Sequence, residues 1–465
     1  MSKRNMRHIW PCLIVSGILT GCAAYHPMPI DKGSAAKALR PADMATVKVD
    51  AARLNHPLLK PIKFDIANGL SMDDAAILAV VANPELKAER DRLAVASAQV
   101  LKSGILPNPN VSMDVDLPTG GPTKGTVNAY NTLTDWNITS LVTRGAEIAA
   151  ARHEDRSVAL DVAWKEWQIA EAARLHFVRL YWAQKKYSLL KEREKDVGER
   201  LKALEKAFAM GNETRLNLDA ARASCQQFRL LLEQTKGEVG RETLALHKVL
   251  GLPPDYRITI KGDTDFKGWL GRLLGRLTEK TCLQGLDKRR LDLVALKEGY
   301  QAQEERLRAQ VLAQFPKINI GLLNAGDTGA IITTGPSVSI GLPVFDRNQG
   351  NIAIEKATRQ RLFDEYMARL FGARAEVSAI IENMRSTEDR VAVLNQAVRD
   401  KRRLYDDCRR AVKEGNLDAV NLYQVLDDLM AKELELLKLK GGLCELAVAL
   451  EAASGVYSPL SPQGG

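Results

Sequence analysis

At 465 residues, with 45% hydrophobic but only 5% aromatic side chains, the chain is long enough for two or three domains yet short of the large rings that fill globular cores. Its net charge of +9 is spread over helical stretches as mixed-sign pairs, which argues against a nucleic-acid-binding surface. No glycine-rich phosphate loop precedes a helix, and His153, His176 and His247 stand isolated on helical patterns, without metal-ligand spacing to one another or to acids. Neither nucleotide hydrolysis, nor a metal site, nor a cofactor is therefore expected.

The chain opens with Lys3, Arg4 and Arg7, followed by an apolar run from Ile9 to Leu19 that is too short to span a bilayer. This run ends in Leu19-Thr20-Gly21-Cys22, which resembles the bacterial lipobox, so residues 1–21 are expected to be a signal peptide and Cys22 to carry the lipid. Loss of the three cations leaves +6 (9 − 3) on the mature chain. Residues 22–63 hold several prolines and no sustained periodicity, as a surface tether would.

Ser71-Met72-Asp73-Asp74 has the spacing of a capping box and starts a short helix that closes at Asn83-Pro84. A second helix runs from Pro84 to Ile105 and is ended by Leu106-Pro107-Asn108-Pro109. Residues 110–117 then alternate, with Val111, Met113, Val115 and Leu117 on one face and Asn110, Ser112, Asp114 and Asp116 on the other. A second strand is expected over 126–141. Its phase slips between Leu133 and Trp136, which predicts a bulge.

From Arg144 to Met210 the pattern is helical for roughly 100 Å; it turns at Gly211-Asn212 and returns to Gly251. Residues 252–289 read as a linker with an amphipathic piece near Trp269 to Leu277. The cycle then repeats: a helix from Leu291 to Phe315, strands over 317–323 and 337–344, and a helical hairpin over 350–455 that turns at Lys413-Glu414-Gly415-Asn416, ahead of a tail, 456–465. In its returning arm Leu422, Leu429, Leu436, Leu443 and Leu450 recur every seven residues; an offset of 204 carries them back to Leu218, Cys225, Leu232, Val239 and Leu246. The same offset relates Gly415 to Gly211, Asn416 to Asn212 and Gly455 to Gly251. The chain is thus mainly α with a small β part, each half (64–251 and 290–455) comprising a helix, two strands and a long helical hairpin.

Strands with one apolar and one polar face suit a barrel with lipid outside and water inside, although a soluble sheet with one covered face alternates in the same way. Four strands cannot close a barrel, for which about eight is the minimum, so several copies would have to contribute. Helices of about 100 Å that are too polar to cross lipid must then project into water. Cys225, Cys282, Cys408 and Cys444 are too scattered for a zinc site and too few for a disulfide framework; Cys225 and Cys408 read as buried small hydrophobes, and whether any of the four pair stays open.

From Phe64 to Gly455 the sequence resembles the TolC-like outer-membrane factors, exit ducts of tripartite efflux and type I secretion systems. The resemblance rests on the duplication, the Asn83-Pro84-Glu85-Leu86 helix start and both strand pairs with their prolines. Leu106-Pro107-Asn108-Pro109 and Leu342-Pro343-Val344-Phe345-Asp346-Arg347-Asn348-Gln349-Gly350-Asn351-Ile352 are most similar to the CzcC-like heavy-metal branch. It implies a homotrimer whose twelve strands form one β-barrel in outer-membrane lipid, continued by a coiled-coil α-barrel in the periplasm. A tip made by Gly211, Asn212, Gly415, Asn416 and Leu417 would meet an adaptor protein that joins the duct to an inner-membrane pump of the RND type. The family closes its tip with acids six and nine positions past the second turn's glycine; here those positions are Asn421 and Gln424, leaving Asp418, Asp427 or Asp428 to line the gate instead. The function implied is passive release of heavy-metal cations. The alternatives are the same duct for organic compounds or type I export, and a coiled-coil envelope lipoprotein that transports nothing.

Overall fold

The structure, a computed structural model, describes residues 24–414, 416–417 and 419–460. It falls into two units, divided after Pro41. The first contains α1 (Lys32–Ala38), capped by Asp31, which accepts from the Ser34 amide at 2.7 Å. The second begins with α2 (Met44–Ala52), capped by Asp43, with Val47 and Ala51 buried. The stretch expected to be an unstructured tether therefore holds two capped helices. They are too short to impose a readable period. His56 then fastens the chain to the main body: Nδ1 accepts from the Leu58 and Leu59 amides, each at 3.0 Å, and Nε2 meets the Ala163 carbonyl at 2.9 Å.

The capping box at Ser71 forms and starts α3 (Met72–Ala82), with the Asp74 amide 3.1 Å from Ser71 Oγ and the Ser71 amide 3.2 Å from Asp74 Oδ2. Asn83 caps α4 (Pro84–Gly104), where Pro84 occupies the first turn and loses no hydrogen bond. Next come β1 (Asn110–Asp116) and β2 (Ala129–Asn137), then α5 (Ser140–Ala209) and α6 (Arg215–Leu250). Three short helices follow, α7 (Phe266–Arg276), α8 (Glu279–Leu283) and α9 (Leu286–Arg289). The second half is α10 (Leu291–Leu312), β3 (Lys317–Gly326), β4 (Ile332–Gly341), α11 (Gln349–Lys413) and α12 (Ala419–Ser454).

The strands form one antiparallel sheet in the order β1-β2-β3-β4. Pairing of β2 with both neighbours is continuous, from Tyr130 opposite Gly326 to Asn137 opposite Asn319, so the bulge expected between Leu133 and Trp136 is absent. Leu133 instead lies on the otherwise polar face beside Leu323, and Trp136 belongs to the apolar one. A cross-strand leucine pair had imitated a phase slip.

The main core lies where α3, α5, α6, α7 and α12 meet, around Trp167, Phe177, Leu246, Trp269 and Ala447. Within it Arg174, fully buried, reaches Glu171 at 3.0 Å and Glu451 at 2.5 Å, and donates to the Ser458 carbonyl at 3.0 Å. Its guanidinium lies over Trp269 and Tyr457, 5.6 and 5.1 Å from the ring centres. Tyr457 Oη and the Leu460 amide both donate to Asp73, and Arg272 holds the Leu460 carbonyl. Segment 456–460 is therefore sewn into the core through its backbone. Glycines seat both hairpins: Gly251 (φ +68°) and Gly455 (φ +65°) would place a Cβ 2.5 Å from the Ala82 carbonyl and 2.9 Å from the Arg289 carbonyl. No other residue fits at either position.

Candidate functional site

Two regions combine exposure with an arrangement that a lone chain leaves unfinished. The first is the sheet. Cross-strand partners place Val111, Met113, Val115, Tyr130, Trp136, Ile318, Ile320, Leu322, Ile332, Val338 and Ile340 on one face. The other carries Asn110, Ser112, Asp114, Asp116, Asn131, Asp135, Lys317, Asn319, Ser337 and Ser339. The apolar face is open, with Val111 68% and Val338 64% exposed, although such a continuous patch is rare on a soluble surface. β2, β3 and β4 have 9, 10 and 10 residues, the length of a tilted membrane-spanning strand. The outer edges of β1 and β4 pair with no further strand among the described residues. Among those residues, too, no helix is long and apolar enough to cross a membrane.

The second region is the pair of hairpin tips. At the first, Gly211 takes φ +73° and the Asn212 amide donates to the Ala207 carbonyl at 2.9 Å. This lets α5 end and leaves Asn212 exposed. Thr214 Oγ1 caps α6 through the Asn217 amide at 3.2 Å. Glu213 accepts from the Thr214 amide at 2.8 Å and from Asn217 Nδ2 at 2.6 Å, which holds its carboxyl below the usual range. Met210 and Leu216 flank the turn, both largely exposed. At the second tip the Asn416 amide repeats the bond, to the Ala411 carbonyl at 2.8 Å. Asn416 is exposed and Leu417 half-buried; Gly415 and Asp418 lie outside the described residues, as does Cys22.

Among the positions expected to line a gate, Asn421 and Gln424 are exposed. Asp427 faces the other hairpin, 2.5 Å from Arg200 Nη1, and that guanidinium sits 5.0 Å from the centre of the Tyr423 ring. Asp428 pairs with Lys401 at 2.9 Å. Arg200 and Tyr423 escaped the sequence reading, since Arg200 lies more than 200 residues from its acid.

His153 Nδ1 lies 2.7 Å from Glu298 and His176 Nδ1 3.0 Å from Glu242, so both have acidic partners that come from other helices. His247 is buried, and neither ring nitrogen has a partner. Cys225, Cys282, Cys408 and Cys444 are free thiols. Cys225 is buried, whereas Cys408, expected to be buried, is only partly so.

No protein-family model matches the chain, and no curated protein matches it in sequence. Solved structures do match in fold. CusC, described for the conformational changes that accompany its folding and transmembrane channel formation, aligns with TM-score 0.66 at 17% identity over 85% of this chain and 94% of that one. The outer membrane protein VceC of Vibrio cholerae gives TM-score 0.66 at 16% identity over 83% and 96%. The open state of the MtrE outer membrane channel of Neisseria gonorrhoeae gives 0.66 at 13% over 94% and 98%. Over most of its length, the chain has the fold of these outer-membrane channel proteins.

Proposed function

We propose that the protein is a TolC-like exit duct of a tripartite efflux system, anchored in the outer membrane by the strands and by a lipid on Cys22. The observation that carries this reading is the four-stranded sheet, apolar and uncovered on one face, polar on the other and open at both edges, standing at the end of two long hairpins. Lipid satisfies the apolar face, and strands from neighbouring copies satisfy the edges. Three copies supply twelve strands, above the minimum of about eight for a closed barrel.

In this reading Gly211, Asn212, Gly415, Asn416 and Leu417 form the periplasmic tip that docks an adaptor, behind which stands an inner-membrane pump. Asp418, Asn421, Gln424 and Asp427 line the approach to the closed end. The duct is passive: a water-filled polar lumen conducts what the pump delivers. Heavy-metal cations are its proposed cargo, on the resemblance of Leu342–Ile352 to the CzcC-like branch.

Photo-crosslinking in living cells from probes at Asn212 and Asn416, with mass spectrometry of the captured proteins, tests the reading. Capture of the adaptor of a metal exporter supports both duct and cargo. An adaptor of a drug or protein exporter keeps the duct and changes the cargo. Capture of cell-wall or structural proteins alone replaces the duct with an envelope scaffold.

A further inference from the structure

An offset of 204 residues carries α6 onto α12 from end to end, and the last residue of α5, Ala209, onto the last of α11, Lys413. Within the chain α12 packs chiefly on two helices, its hairpin partner α11 and, on another side, α5, with a smaller contact to α7. That α5–α12 seam has two parts. Trp182 lies over Gly441, where an added Cβ would come within 3.1 Å of the indole. Three ion pairs flank it: Arg179–Glu445 at 2.9 Å, Arg193–Glu433 at 3.7 Å and Arg200–Asp427 at 2.5 Å.

The equivalent seam, between α11 and α6, has no comparable packing within one chain. Carrying the α12 positions back by 204 gives Ala223, Arg229, Gly237 and Arg241, all exposed. Ala223 and Gly237 belong to a second heptad stripe on α6, Leu216, Ala223, Leu230, Gly237 and Leu244, which alternates large and small and is open throughout. Carrying the α5 positions forward gives Asn383, Ser386, Ala397 and Leu404 on α11, of which only Ala397 is partly covered. The chain thus makes one of two equivalent contacts and leaves both halves of the other bare.

We infer that α6 of one copy packs against α11 of the next in the register fixed by this offset, setting Gly237 against Ser386, Ala223 against Leu404 and Arg229 against Ala397. The occupant of the bare stripe is a second copy, because the same helix pair already solves the same packing once inside the chain. The duplication is not faithful in charge. None of the three ion pairs has a counterpart, since Arg229 meets Ala397, Arg241 meets Asn383 and Ala223 meets Leu404, so a copy's own hairpins are joined by charge, while neighbouring copies meet at these positions without opposite charges. This rests on the assembled duct proposed above and fixes its register.

Disulfide trapping in the full-length protein purified in detergent tests it. In a Cys408→Ser background, the pairs Gly237→Cys with Ser386→Cys and Ala223→Cys with Leu404→Cys are expected, under mild oxidant, to convert most of the chain to covalent multimers up to the trimer. The pair Leu230→Cys with Ser386→Cys, one heptad or roughly 10 Å out of register, is expected to remain monomeric in denaturing gels. No added side chain meets an obstacle at position 237 in the single chain, and light scattering of the reduced variants reports assembly separately. If those variants are trimeric but the shifted pair crosslinks as well as or better than the aligned ones, or the aligned pairs stay uncrosslinked, the register is overturned and the duct stands. If they are monomeric alongside a monomeric parent chain, the trimer itself has failed.

Discussion

The sheet and the helical core invert each other. In the sheet, valine, methionine and isoleucine side chains face outward uncovered; in the core, Arg174, Glu171 and Glu451 are sealed away from water. The comparison teaches that burial is read against what each region will meet. The sheet's apolar face is unfinished until lipid covers it, whereas the core charges are already enclosed and satisfy one another only in part. Glu171 Oε2 and Arg174 Nε lack hydrogen-bond partners. Two fully buried carboxylates and Asp73 share a single guanidinium, and burial pushes Glu451 well above the ordinary carboxyl range and raises Glu171.

The largest effect is expected from Arg174→Ala, which leaves two buried glutamates without their cation. About 3–5 kcal/mol of stability should be lost in chemical unfolding, and an apolar triple variant, Glu171→Leu with Arg174→Met and Glu451→Leu, should recover most of it. A loss below about 1 kcal/mol for the single variant would mean that the enclosure is an illusion. On the sheet, Val338→Arg should cost about 2–4 kcal/mol of membrane-inserted stability, measured as loss of the heat-resistant oligomer in lipid. Ser339→Arg, one residue on and facing the other way, should leave that oligomer intact; equal damage from both would remove the distinction between the faces.

The core should also show itself through pH. A carboxyl raised on folding binds its proton more tightly in the native state. Stability is therefore full below the ordinary carboxyl value of 4.5 and falls as pH rises through the folded value. Melting temperature should decline from pH 5 towards alkaline pH, and Glu451→Gln should flatten that slope; an unchanged slope would place the titrating group elsewhere. The smallest effect is expected from Arg200→Ala, which frees Asp427 in a partly exposed seam at about 1 kcal/mol. Faster hydrogen exchange over residues 421–430, with little change in the core, would mark it. Uniform loosening would instead make Arg200 a general stabiliser.

What the sequence disclosed depended on distance along the chain. The heptad from Leu422 to Leu450, the turns at Gly211 and Gly415 and the stops at Gly251 and Gly455 are all periodic or local, and they sufficed for the duplicated helix-and-sheet plan. The alternation of Val111, Met113 and Val115 named the outward face, yet the local pairing of Leu133 with Leu323 looked like a bulge, because phase alone cannot see a cross-strand neighbour. Arg174 and Glu451, like Arg200 and Asp427, are separated by more than 200 residues. Only a fold brings such pairs together, so the charged seam and the core cluster were illegible. α2 was missed for a different reason: nine residues span too few turns to establish a period.

The two glycines at the hairpin bases carry a mechanical consequence. An arm of 36 residues is about 54 Å long, so a tilt of one degree about its base displaces its far end by roughly 1 Å. Pressed within van der Waals distance of the Ala82 and Arg289 carbonyls, Gly251 and Gly455 act as the fulcrums of two levers. Each degree of tilt at either base would be read out as about 1 Å at the tip of its hairpin.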